Sequence, residues 1–251
     1  MAQLSEASDE VRIFDGVPEL MRATAEEIVL AARNAVDARG RFTWALAGGS
    51  TPRTVYELLA SDFYRARMPW SAIHFFWGDE RHVPPDHADS NFRMVNESLL
   101  SKIAIPTANV FRVRAELADA AEAAQEYESS LKTFFKTAPG EFPNFDLIFL
   151  GLGTEGHTAS LFPDSKGLTE TSRIFIANWV EKFKTDRLTL TFPAINHATD
   201  VMFLASGPDK ADILHQVLEE ENTPSLPAQR VQPQSRVMWM LDAAAAAKIT
   251  V

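Results

Sequence analysis

Short apolar runs alternate with helical patterns along almost the whole chain, and this alternation limits what the chain can become. Parallel strands need a crossover of a dozen or more residues between them, usually a helix. Repeated strand–helix–strand units therefore predict an α/β fold: an open, mostly parallel sheet flanked by helices. Pro18 opens a long amphipathic pattern that runs to Arg39, where Gly40 stops it. Strands are expected over 42–47, 73–77, 146–150, 173–180, 187–191, 201–205 and 237–241. Helices are expected from the Gly48–Pro52 turn to 60, over 90–100 behind Ser90 as N-cap, over 118–135 and over 208–220, with a short alanine helix over 243–247. A polar, proline-bearing loop is expected over 78–89. The turn-rich stretches 139–143 and 223–233 bring no shift in composition, so residues 11–251 are expected to form one domain behind a flexible N-terminus, 1–10.

Composition narrows the function. The 251 residues hold 24 Lys and Arg against 34 Asp and Glu, a formal charge of −10. An acidic surface repels nucleic acid and anionic membranes, so neither is expected as a partner, and an anionic ligand would need local cations of its own. The chain has no cysteine, which removes disulfides, thiolate metal sites and a cysteine nucleophile and fits a cytoplasmic setting. The first ten residues lack the basic start and apolar core of a signal peptide, and no apolar run reaches 18 residues.

Ligands of open α/β sheets collect beyond the carboxyl ends of the strands. Four polar segments are expected at such ends. Gly48-Gly49-Ser50-Thr51-Pro52-Arg53 has the makings of an anion cradle: two glycines for close approach, a hydroxyl at Ser50 or Thr51 to cap or donate, and first-turn amides. It reads equally well as a tight turn with no ligand. The second segment, from Gly78 to Asn91, holds Asp79 as an acid/base or orienting group and Arg81 to grip an oxyanion, although acids beside an arginine are also ordinary loop ion pairs. His82, Asp86, His87 and Asp89 match no common metal spacing, so no metal is expected there.

The third segment, Gly151-Leu-Gly-Thr-Glu-Gly156, matches a dinucleotide fingerprint literally, but Pro163 cuts off the full helix such a site needs. It leaves His157, beside Glu155, as the natural general base, or else as a histidine bonded to a nearby carbonyl. In the fourth, Gly207-Pro-Asp-Lys210, the lysine would oppose the dipole of the helix it starts unless an anion binds there. Arg187, opening a strand, is a further candidate cation or a solvated surface residue.

Taken in order, these segments resemble the 6-phosphogluconolactonases. The matching text is Ala45-Leu-Ala-Gly-Gly-Ser-Thr-Pro52, Trp77-Gly-Asp-Glu-Arg-His-Val-Pro84 with Ser90-Asn91, and Gly151-Leu-Gly-Thr-Glu-Gly-His-Thr-Ala-Ser-Leu-Phe-Pro163. Arg187-Leu-Thr-Leu-Thr191, Gly207-Pro-Asp-Lys210 and Trp239-Met-Leu-Asp242 follow, so the likeness runs through the chain from about residue 10. It implies a sugar-phosphate isomerase-like, Rossmann-type fold, shared with glucosamine-6-phosphate deaminases. It implies hydrolysis of 6-phospho-D-glucono-1,5-lactone in the oxidative pentose phosphate pathway, with no cofactor or metal, by a monomer or weak homo-oligomer.

On this reading the catalytic residues are His157, Asp79 and Glu155, and the substrate is held by Gly48, Gly49, Ser50, Thr51, Arg53, Arg81, Asn91, Arg187 and Lys210. The family more often has Asp at the position of Glu155, which suits an orienting role better than direct catalysis. A deaminase or isomerase of the same fold, or a sugar-phosphate sensor, would share the Gly–Gly–Ser/Thr turn. The Gly78-Asp-Glu-Arg-His-Val-Pro84 text and the lack of a DNA-binding segment separate them.

Overall fold

The computed structural model describes residues 8–221 and 225–250. In chain order its elements are β1 (Ser8–Phe14), α1 (Val17–Arg39), β2 (Phe42–Leu46), α2 (Ser50–Leu59), the single turn α3 (Asp62–Arg65), β3 (Ile73–Trp77), β4 (Asp79–Arg81) and α4 (Asn91–Ser98). Then come α5 (Ala120–Phe135), β5 (Leu147–Leu150), β6 (Phe175–Val180), β7 (Thr185–Leu190), α6 (Phe192–Asn196), β8 (Asp200–Ala205), α7 (Ala211–Glu219) and β9 (Arg236–Asp242).

Six strands form one sheet in the order β1-β9-β8-β5-β2-β3, and every pairing in it is parallel. The strands β2, β5 and β8 are apolar almost without interruption because helices and loops cover both faces. Aromatic rings fill the space between layers. Trp44 meets Tyr56, Phe75 and Phe149, while Phe76 meets Phe111, Phe134, Phe135 and Phe145, each pair 4.7–6.1 Å between centroids. From β2 the chain steps outward to β3, then returns to the other side for β5, β8 and β9, the last of which lies beside the opening strand β1. The carboxyl ends of β2 and β5 are thus the point where the strand order reverses, and there a crevice opens.

A second sheet, β4-β7-β6, is antiparallel and was not foreseen. Two strands expected to continue the parallel sheet, 173–180 and 187–191, instead form a hairpin, turning through Lys184 in left-handed backbone (φ 50°). The expected loop 78–89 begins as its third strand, because the edge of β7 supplies partners: Asp79 faces Thr189, and Leu190 N donates to Gly78 O at 2.8 Å. Two further corrections concern the ends. Residues 8–10, expected within a flexible N-terminus, pair with β9 as the start of an edge strand, while residues 1–7 lie outside the described residues. The alanine run 243–247 makes turns rather than a helix, since Phe14 O and Asp242 take its amides. Of the turn-rich stretch 223–233, residues 223 and 224 lie outside the described residues. No described helix is long and apolar enough to cross a membrane.

Candidate active site

The crevice is a cavity of about 310 Å³, walled by three of the four expected segments in force and by Lys210 from the fourth. Residues 47–52 follow β2, Asp79 and Arg81 lie on β4, Asn91 starts α4, residues 149 and 150 end β5 with 151–153, His157 and Ala159 beyond them, and Leu204 and Ala205 end β8. This volume suits a small sugar phosphate, near the lower end of ligand pockets at roughly 300–1,000 Å³.

The anion end is built by α2. Its N-cap is Gly49 at φ 104°, a conformation that favours glycine, and neither Ser50 nor Thr51 caps the helix as expected. With no side-chain cap and no acid in the first turn, the leading amides of α2 remain for a ligand. Thr51 Oγ1 lies 3.1 Å from Ser206 Oγ, which joins this turn to the Gly207 turn. Asp242 secures the latter, its Oδ1 accepting from Gly207 N at 3.0 Å, and Lys210 follows with its side chain 22% exposed and Nζ 3.2 Å from Asp209. Gly48 must be glycine for a different reason, since a Cβ there would overlap the Asn91 carboxamide.

At the other end, β4 and β7 carry the charged wall. Side chains two apart on a strand, or opposite each other across a pair, share a face. Asp79, Arg81, Arg187, Thr189 and, from β6, Asn178 therefore point the same way. Arg81 and Arg187 stand directly opposite each other, an arrangement that like charges disfavour and that an anion between them would relieve. Burial, then the facing Arg81, lowers the pKa of Arg187, while Asp79 opposes the shift. Its Nε is buried without a hydrogen bond, and its guanidinium stacks on Phe183 at 5.0 Å.

His157 stacks on Phe162 with centroids 4.0 Å apart. The ring packs so closely on Gly153 that a Cβ there would overlap it. Glu155 Oε2 is 3.2 Å from His157 Nδ1, an ion-pair distance, but off the line of the N–H, so Nδ1 is buried without a hydrogen bond. Burial lowers the His157 pKa below its ordinary value, opposed by Glu155 and Asp79. Burial alone would raise the Glu155 carboxyl, but Lys182 Nζ at 2.7 Å, its own backbone amide and His157 bring it down to about 2. Asp79 is held by Ser160 Oγ at 2.7 Å and by Asn91 Nδ2, which donates to its backbone oxygen at 2.9 Å. Asn91 is 2% exposed, and this bond ties up its carboxamide at the cavity wall.

Nine expected site residues line this one cavity: Gly48, Gly49, Ser50, Thr51, Asp79, Arg81, Asn91, His157 and Lys210. Glu155 stands behind His157, and Arg187 beside Arg81, neither among the lining residues. Arg53 points elsewhere, paired with Glu57 at 3.0 Å on the outer face of α2. His82 Nε2 meets Leu117 O at 2.7 Å, and among the described residues no group of three His, Asp or Glu is placed to hold a metal ion. No helix follows Gly156, so the dinucleotide fingerprint has no helix N-terminus behind it. Sequence reasoning missed Ser160, Phe162, Thr189, Asp242 and Lys182; four of these lie inside the quoted text, where a hydroxyl or a ring gives no sign of its partner. The fifth, Lys182, had no signal beyond a charged stretch.

A family model described as glucosamine-6-phosphate isomerases/6-phosphogluconolactonase matches residues 17–239. The 6-phosphogluconolactonase of Nostoc sp. is 39% identical over 242 residues, 96% of this chain and 98% of its own. That of Synechocystis sp. is 46% identical over 209 residues, 83% of this chain and 85% of its own. The solved 6-phosphogluconolactonase of Trypanosoma brucei covers 98% of this chain and 100% of that one at 29% identity, with a TM-score of 0.86. A monomeric glucosamine-6-phosphate deaminase, 18% identical with a TM-score of 0.78, has the same fold.

Proposed function

This chain belongs to the glucosamine-6-phosphate isomerase/6-phosphogluconolactonase family, and on that premise we propose how its cavity hydrolyses 6-phospho-D-glucono-1,5-lactone in the pentose phosphate pathway. The observation that carries the reading is the shared cavity: His157 and the uncapped Gly49 turn with Lys210 open on the same small space. The 6-phosphate takes the leading amides of α2 and the charge of Lys210, while Arg81, whose guanidinium also donates to Asp89 O at 2.7 Å, holds the lactone end or the developing oxyanion with Arg187 beside it. Because Nδ1 faces Glu155 and Gly153, Nε2 is the ring nitrogen left for chemistry.

Water attacks C1 of the lactone while His157 Nε2 takes its proton. The carbonyl becomes a tetrahedral oxyanion, stabilised by Arg81 or by backbone amides of the glycine-rich turn. As the C1–O5 bond breaks, the imidazolium returns a proton to O5, which leaves as the 5-hydroxyl, and the new carboxylic acid ionises into solvent. Glu155 and Asp79 favour the transient imidazolium through their charge. Burial keeps the resting imidazole neutral, as a base at neutral pH must be. The chain from β1 onward acts as one lactonase domain in this reading, in a cytoplasmic monomer or weak homo-oligomer with no nucleic-acid partner.

His157→Ala tests it. With spontaneous hydrolysis subtracted, kcat should fall by about 10²–10⁴ and KM should change little. A kcat near that of the parent removes His157 from the mechanism. Ammonia release from glucosamine 6-phosphate, assayed alongside, would move the chain to the deaminase branch.

A further inference from the structure

The stretch 151–165 that presents His157 contains no helix, only the isolated bridge between Thr158 and Leu161. Such a segment needs outside support to hold an imidazole for catalysis, since misplacement by about 1 Å can cost roughly 10²-fold in rate. Two of its residues, Ala159 (φ 47°) and Asp164 (φ 63°), take left-handed backbone without being glycine. Conformations of that kind persist only where their surroundings over-determine them.

The small sheet supplies those surroundings, one polar side chain from each strand, all aimed at Ser160. Asp79 Oδ2 on β4 accepts from Ser160 Oγ at 2.7 Å, and Thr189 Oγ1 on β7 accepts from Ser160 N at 3.2 Å. Asn178 Nδ2 on β6 donates to Ser160 O at 2.9 Å. Asn178 goes further than the other two. It also donates to Ser165 Oγ at 3.0 Å, and its Oδ1 accepts from Gly167 N at 3.0 Å, so one carboxamide closes the turn 160–167. A Cβ at Gly167 would come within 3.0–3.1 Å of that carboxamide. Asn178 and Ser160 are each 2% exposed and Thr189 is fully buried, so no water stands ready to replace a lost bond. Among side chains, a carboxamide is the group that offers two N–H donors and an acceptor in one plane.

We infer that Asn178 is a positioning residue for the hydrolysis: its carboxamide fixes the turn behind His157 and, through Ser160, holds Asp79 and the imidazole in one frame. The inference rests on the reading of His157 as the base. It predicts that support of the base can be removed without loosening the grip on phosphate, which lies on the other sheet.

Asn178→Asp keeps the shape and removes both N–H donors. It should lower kcat by about 10–100-fold while KM stays within about twofold, after correction for the folded fraction by its melting curve. Ser165→Ala, which removes one acceptor of the Asn178 carboxamide, should lower kcat in the same direction by less, and it decides the matter if Asn178→Asp fails to fold. A kcat within twofold of the parent in the folded variants, or a loss that disappears on correction for folded fraction, overturns the inference. His157→Ala run in parallel separates the two failures. If that variant stays active the base assignment is wrong, and if it alone is inactive the role of Asn178 is wrong.

Discussion

The two sheets divide the molecule's labour differently. In the six-stranded sheet almost every central side chain is apolar and buried, and its contribution to the cavity comes from the turns at its carboxyl edge: Gly48–Thr51, Gly151–Gly153 with His157 beyond it, and Lys210 after β8. In the three-stranded sheet one face is a row of charged and polar groups that meet the substrate cavity or the His157 loop. A parallel sheet covered on both faces places strand ends accurately but has no free face for chemistry, whereas a short antiparallel sheet can devote one face to it. The larger sheet therefore carries stability and anion binding, the smaller one orientation and charge.

The largest expected effect falls on stability alone. Phe76 on β3 is fully buried among four other rings and does not line the cavity. Phe76→Ala should cost about 3–5 kcal/mol, read as a drop in Tm on the order of 10 °C, with kcat/KM of the folded fraction unchanged. A loss of kcat/KM in step with Tm would break the division. Next comes Lys210→Ala, which removes a cation from the carboxyl edge of the larger sheet. A charge-assisted hydrogen bond of about 1.5–3 kcal/mol corresponds to a rise in KM of about 10-fold or more with kcat little altered. Unchanged KM and kcat/KM would transfer the phosphate to Arg81 and Arg187 and give anion binding to the smaller sheet.

The smallest effect is electrostatic. His157 must be neutral to accept a proton, and burial holds its pKa below 6.5, so kcat/KM should fall on the acid side, at a pH below that value. Glu155→Gln removes a charge that opposes burial and should move the acid limb to still lower pH in a pH–rate profile. An acid limb that does not move would leave Asp79 as the carboxylate that supports the imidazolium.

The same contrast explains what the sequence made legible. The long helix α1 has Pro18 at its start and Gly40 in left-handed backbone at its end, and β2, β3, β5, β8 and β9 are short apolar runs with turn chemistry behind them; each followed from local pattern. The small sheet did not, because nothing local marks it. The strand β4 is Asp-Glu-Arg, a sequence that pairs only because β7 offers an edge, and β6 and β7 have strand composition that is silent on which sheet they join. β1, Ser-Asp-Glu-Val-Arg-Ile-Phe, is too polar to stand out, and its charges find partners both near and far: Arg12 pairs with Glu10 in the strand itself, and Arg12 and Arg236 both bind Glu27 of α1.

The site divides in the same way. Gly49, Asp79, His157 and Lys210 lie at strand ends where topology alone predicts a ligand, and the structure brings them to one cavity. Glu80 is read from the sequence as one more loop acid, yet it is 2% exposed and accepts from the amides of Arg81, Asn91 and Phe92, so it fastens β4 to the start of α4. Ser160, Thr189 and Asn178 are similar cases: small polar residues whose worth lies wholly in bonds to distant segments.

Gly153 and His157 share one space. The imidazole occupies the volume that any side chain at 153 would need. For mutation, drift or redesign, the two positions are therefore one unit: every replacement at 153 must first evict the ring, so a chain that keeps this histidine has a single admissible residue four places upstream. New chemistry in this pocket has to start by changing both together, or by leaving both alone and altering the walls around them.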